Sequence, residues 1–125
     1  MISAKDLVTD YMNEVWVNRK TEALSKYVST DTFIQHNPHL DNGLEALRGF
    51  LPHLFDNMMP EGIWEVKRVI AEDDMVVVHS LAKPTPAALG MAVVDIFRIE
   101  GDKIVEHWDL TSDVPETTKS GNPIV

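Results

Sequence analysis

The chain has 125 residues, 44% of them hydrophobic and 25% charged, with a formal net charge of −9. That length can bury a core without covalent staples, and the absence of cysteine excludes disulfides, thiolate catalysis and Cys-based zinc sites. Negative charge with no basic stripe argues against nucleic acid and anionic membrane as partners, and no apolar run reaches the length of a bilayer span.

The first residues pass directly into an amphipathic pattern, so no signal or transit peptide is expected and a cytoplasmic location is the default. Ser3 with Asp6 marks a helix start, and Leu7, Val8, Tyr11, Met12, Val15 and Trp16 recur at helical spacing to about Asn18. Thr21 can cap a second, short helix to about Val28. Ser29-Thr30-Asp31 ends it, and Thr32 to His36 reads as an extended piece stopped by Asn37-Pro38. A third helix is predicted from Leu44 to about Asn57, with a kink or break at Pro52.

Beyond Pro60 the hydrophobic period changes. Ile63–Ala71, Met75–Lys83, Gly90–Glu100 and Lys103–Thr111 are rich in β-branched and aromatic residues and are separated by turn chemistry, so four strands are predicted. Helices followed by strands indicate an α+β domain with a mainly antiparallel sheet, over residues 1–113. Residues 114–125 are polar, carry Pro115, Gly121 and Pro123, and read as a tail or flap. There is no internal repeat.

The last hairpin is the most informative segment. With Glu100-Gly101-Asp102 as the turn, Ile99 faces Lys103, Phe97 faces Val105, Asp95 faces His107 and Val93 faces Asp109. Alternation puts these on one face and Val94, Ile96, Arg98, Ile104, Glu106 and Trp108 on the other. Both faces are largely apolar, so one must cover the helices and the other must meet something else, with a second copy of the chain as the simplest partner. Assigning the Asp95, His107 and Asp109 face to the inside creates a cavity with two carboxyl groups and an imidazole in its wall. Such a cluster can offer a general base and a hydrogen-bond donor together. The same three residues could instead form a solvated ion pair at the mouth of the fold.

Val94-Asp95-Ile96-Phe97-Arg98-Ile99, then Gly101 and Lys103-Ile104-Val105-Glu106-His107-Trp108-Asp109, resemble the end of SnoaL-like polyketide cyclases. Phe33-Ile34-Gln35-His36-Asn37-Pro38, Asn42-Gly43 and the tail Val114-Pro115-Glu116-Thr117 with Gly121-Asn122 resemble the same group, in the same order along nearly the whole chain. The resemblance implies the nuclear transport factor 2-like fold shared with ketosteroid isomerase: a cone-shaped α+β barrel, with N-terminal helices packed in a curved sheet around a deep pocket. It also implies a homodimer through the outer sheet face, with the tail on the barrel or the partner subunit. It further implies ring closure of a small hydrophobic or polyketide-like carbonyl substrate by aldol chemistry, with no cofactor and no metal. Asp109 then moves the substrate's α-proton, and Asp95 falls where the isomerase has a protonated carboxyl. Asn37 stands where the isomerase has its catalytic aspartate, and Asn13 near the place of its first-helix tyrosine, which argues against steroid isomerisation.

His36 and His39 have an H-x-x-H spacing beside Asp41, but on an irregular turn that spacing is easily met without a metal. His36 reads either as a polar group of the pocket wall or as a pin for its own turn. His79 lies inside a strand, where satisfied core histidines are common, and the resemblance raises it to a pocket candidate. Trp16, Trp64 and Phe97 could line a pocket for a flat ligand or simply fill the core. The expected catalytic set is Asp109, His107, Asp95 and His36, and the expected substrate-binding set is Asn37, His79, Trp16, Trp64 and Phe97. The leading reading is aldol cyclisation or isomerisation by acid–base catalysis in a buried pocket; the rival readings are a non-catalytic binding module of the same fold, and a hydrolase or dehydratase using the same carboxylates.

Overall fold

The computed structural model describes residues 2–125. Helix α1 (Ala4–Tyr11) starts at Ser3, whose hydroxyl accepts the backbone N–H of Asp6 at 3.1 Å, satisfying one of the unpaired donors at a helix start. It runs into a π-helical turn at Met12–Val17. A 3-10 turn (Thr21–Ala23) leads into the short helix α2 (Leu24–Tyr27). Helix α3 (Leu44–His53) contains Pro52 and passes into a second π-helical segment, Leu54–Met58. The predicted interruption at Pro52 is thus a change of helix type just beyond it. Proline has no N–H and crowds the carbonyl four residues back, so a widened turn accommodates it.

Strands β1 (Ile34–Gln35), β2 (Ile63–Glu72), β3 (Met75–Lys83), β4 (Met91–Glu100) and β5 (Lys103–Asp113) form one sheet in the order β1-β5-β4-β3-β2. All neighbours are antiparallel except β1, which runs parallel to β5. The architecture is therefore α+β with a mixed sheet. Along β3 the burial alternates strictly, with Val76, Val78, Ser80 and Ala82 inward and Met75, Val77, His79 and Leu81 outward. Val76 and Val78 join Leu7, Val8, Tyr11, Met12 and Val15 of the first helix and Leu44, Leu47 and Leu51 of α3 in one core, and Ser80 and Ala82 are buried on the same face.

The β4–β5 hairpin differs from the expected register. Glu100 pairs with Lys103, so the turn is the two residues Gly101-Asp102, with Gly101 at φ +62°. Two-residue hairpin turns demand positive φ, which glycine adopts without steric penalty. A bulge then leaves Val105 unpaired, and beyond it Phe97 lies opposite His107 and Asp95 opposite Asp109. Ile104, expected on the outer face, pairs with Ile99 and is fully buried in the core. From Arg98 outward the ladder is displaced by two residues from the expected pairing, and a two-residue displacement preserves which face each side chain takes.

Arg19, in the turn after the first helix, has φ +60°. Its Nη1 donates to the carbonyls of Phe55 (3.1 Å) and Pro60 (3.4 Å), and its Nη2 to those of Met59 (2.9 Å) and Gly62 (2.5 Å). The guanidinium carbon also sits 4.9 Å from the centre of the Phe55 ring. One side chain therefore closes the carbonyl end of the α3 extension, where helices leave acceptors unpaired. No helix of the described residues is long and apolar enough to cross a membrane.

Candidate active site

A cavity of about 530 Å³ lies between the inner sheet face and the helices. Its walls are mostly apolar, including Trp16, Phe33, Leu54, Met59, Trp64 and Phe97. The two π-helical segments contribute directly: Trp16 comes from the first, Leu54 and Met58 from the second. Trp16 and Trp64 stand with ring centres 4.7 Å apart, and Tyr11 meets Phe97 edge to face at 5.7 Å.

One wall is polar. Asp95 on β4 and His107 and Asp109 on β5 point inward, with Asp95 and His107 both buried. His107 Nε2 lies 2.8 Å from Asp95 Oδ1 and 4.0 Å from Asp109 Oδ2. Its Nδ1 lies 2.7 Å from Gln35 Oε1. Asn37 Nδ2 donates to Asp109 Oδ1 at 3.1 Å and to Oδ2 at 2.9 Å. These contacts follow from β1: it lies beside β5 with Gln35 at the level of His107. Alternation from that point turns Gln35 and Asn37 inward and Ile34 and His36 outward.

The structure thus brings together seven of the nine expected site residues: Asp95, His107, Asp109, Asn37, Trp16, Trp64 and Phe97 all line the cavity. His36 and His79 do not, which corrects their expected placement in the pocket. His36 lies on the outer face, stacked on Trp108 with ring centres 4.7 Å apart, and its Nε2 is 2.8 Å from Glu106 Oε2. His79 also points outward, against Arg68 of β2. Gln35, Tyr11, Thr111 and Asp113 are polar cavity residues that sequence reasoning passed over as site groups. The alternation that carries Asn37 inward also carries Gln35, two residues earlier, so the signal was present in the segment already singled out.

Burial pushes the Asp95 carboxyl above the ordinary carboxylate range, partly countered by its hydrogen bond with His107. Burial also pushes the Tyr11 hydroxyl upward, so that it stays a hydrogen-bond donor. The Asp95 shift has a consequence for stability. A carboxyl group that holds its proton more tightly in the folded than in the unfolded chain stabilises the fold most at low pH. That contribution is lost as pH rises from the ordinary carboxylate value, about 4, through the raised one. Asp95→Asn removes the titration. Relative to the parent, the variant should gain stability as pH rises through this window, measured as urea midpoints at a series of pH values.

Asp95, His107 and Asp109 are also the one group among the described residues whose potential metal-binding atoms converge, all within 4.8 Å of one another. Those atoms already bond to each other and to Gln35 and Asn37.

A family model described as a SnoaL-like domain matches residues 8–107. Among solved structures, IdmH from Streptomyces antibioticus superposes with a TM-score of 0.73 at 17% identity, over 89% of this chain and 93% of that one. A SnoaL-like polyketide cyclase from Agrobacterium tumefaciens gives 0.72 at 16% identity, over 90% and 93%. A SnoaL-like protein from Burkholderia thailandensis gives 0.72 at 16%, over 90% and 99%. At these identities the likeness is one of fold. No curated protein matches the chain.

Proposed function

Because the chain belongs to the SnoaL-like domain family, we propose that it is an acid–base enzyme acting on a small, largely apolar carbonyl compound, closing a ring by aldol condensation. The observation that carries this reading is the placement of Asp95, His107 and Asp109 together on the polar wall of a mostly apolar cavity. An aldol step needs a base at the α-carbon and a proton donor at the accepting carbonyl. Asp109 is the base. Asn37 holds both of its oxygens and fixes the plane of the carboxyl group. The Asp95–His107 pair is the donor. It delivers a proton to the oxygen of the electrophilic carbonyl as the carbon–carbon bond forms. The proton taken up by Asp109 then returns to the pair across the 4.0 Å separating His107 Nε2 from Asp109 Oδ2. The flat aromatic walls hold the substrate where the two groups can reach it.

The test is exchange at the α-carbon of cyclic and linear 1,3-diketones in D2O, followed by mass spectrometry. The protein should accelerate deuterium incorporation, and should cyclise ligands that carry a second carbonyl within reach. Saturable binding with exchange no faster than in buffer would leave a binding module instead.

We also infer that the outer sheet face pairs with a second copy of the chain. Leu110 is 75% exposed there, beside a depression lined by Val94, Ile96, Trp108 and Met75. On this face Glu106 takes both Arg98 and His36. Two copies meeting there would not set Glu106 against its counterpart as an unpaired carboxylate. Leu110→Asp should convert a dimer to a monomer in sedimentation, while a monomeric parent protein would remove this part of the proposal.

A further inference from the structure

The hydrogen-bond arithmetic around His107 constrains where its protons sit. The backbone N–H of Asn37 donates to Gln35 Oε1 at 3.1 Å. A backbone N–H cannot donate to an amide NH2 group, so the Gln35 amide can present only its oxygen at this position. That same oxygen faces His107 Nδ1 at 2.7 Å. Nδ1 must therefore carry a hydrogen. In the neutral ring Nε2 is then a bare acceptor, and it lies 2.8 Å from Asp95 Oδ1. Two unprotonated lone pairs would repel at that distance, so one hydrogen occupies the contact, either on Asp95 as an acid or on the ring as an imidazolium.

We propose that Gln35 is a positioning residue that assigns the permanent hydrogen of His107 to Nδ1, and thereby makes the Asp95–His107 contact a one-proton bond whose proton can sit on either partner.

Gln35 is itself held in place. Its backbone N–H donates to Asn42 Oδ1 at 2.9 Å, and the neighbouring His36 N–H donates to the His107 carbonyl at 2.9 Å. The groups around the pair are Tyr11 from the first helix, Gln35 and Asn37 from β1 and its exit, Val78 of β3 opposite Asp95, Phe97 from β4 and Asp109 from β5. Asp109 Oδ2 lies 4.0 Å from Nε2, and burial of Asp95 favours its acid form. A single proton shared within one short contact suits a donor that must be reloaded each turnover. With Gln35 absent, nothing holds the hydrogen on Nδ1. The neutral ring could then carry it on Nε2 and bond a fully ionised Asp95, a state with no proton left to donate.

The inference concerns the resting protein and can be tested without a substrate. Two-dimensional 15N–1H correlation of the imidazole nitrogens should show the His107 hydrogen on Nδ1 across the pH range in which the protein is folded. Gln35→Leu should move it to Nε2 at neutral pH. Gln35→Glu, whose carboxylate still accepts from Nδ1, should restore the parent pattern. Asp95→Asn, which presents an amide donor to Nε2, should keep the hydrogen on Nδ1 while removing the titration of the pair. A parent protein with the neutral ring protonated on Nε2, or a folded Gln35→Leu variant with an unchanged pattern, would overturn the assignment. If Gln35→Leu fails to fold, the parent spectrum and the Asp95→Asn spectrum decide the matter. Because the readout is independent of turnover, it stands or fails separately from the aldol reading.

Discussion

Asp109→Asn should slow α-proton exchange by about a thousandfold, in the middle of the ~10²–10⁴ that a positioned general base contributes, while ligand affinity stays within a few-fold. The substitution keeps the size and shape of the side chain and removes only its ability to take a proton. One of the two bonds from Asn37 can persist to the remaining carbonyl oxygen. The other becomes an amide facing an amide, so a stability loss of about 1 kcal/mol is expected. The Asp95–His107 contact does not pass through Asp109 and should survive. Exchange kinetics, ligand titration and urea unfolding on one preparation separate these effects. Undiminished exchange in a folded variant would remove Asp109 from the reaction and transfer the search for a base to the Asp95–His107 pair.

The largest loss of stability should come from a residue that touches none of the chemistry. Arg19→Ala is expected to destabilise the protein by about 3 kcal/mol, since it removes four charge-assisted hydrogen bonds and a ring contact while water replaces part of what is lost. Arg19→Lys should recover only a minor share, because one ammonium cannot reach four carbonyls in the plane that a guanidinium spans. The local packing leaves little room to adjust. A Cβ added at Gly62 would come within 2.5 Å of Met59 Cε and 2.7 Å of the Lys83 carbonyl, so the strap from Met59 to Gly62 is already in close contact with β3. The expected signature is a lower urea midpoint with an unchanged slope. Met58 and Met59 line the cavity, so ligand affinity should fall along with stability.

Elements and faces were legible in the sequence because they are periodic. The four long strands and the inward placement of Asp95, His107 and Asp109 follow from alternation, which survives a two-residue error in register. The register itself depended on a bulge at Val105, and Val-105 differs in no visible way from the apolar residues around it. The pairing of β1 with β5 was hidden for another reason. Two strands separated by some 70 residues of chain, one of them only two residues long, leave no local pattern to read. That pairing decides that Gln35 and Asn37 reach the site and that His36 turns away to stack on Trp108. Arg19 was invisible for a third reason: its partners are main-chain carbonyls, which carry no side-chain signature. Position in the fold, more than residue type, therefore separates the histidine in the cavity from the two on the outer face.

The close, mutually tilted indoles of Trp16 and Trp64 give this protein an optical reporter of its own cavity. Trp108, the third and last tryptophan, sits on the opposite side of the sheet against His36. Emission from the close pair, which lines the cavity, should respond to a ligand that enters between the sheet and the helices. A ligand entering the cavity and a partner meeting the outer face would therefore report through different chromophores, and single Trp→Phe replacements would resolve the two signals in solution without any added label.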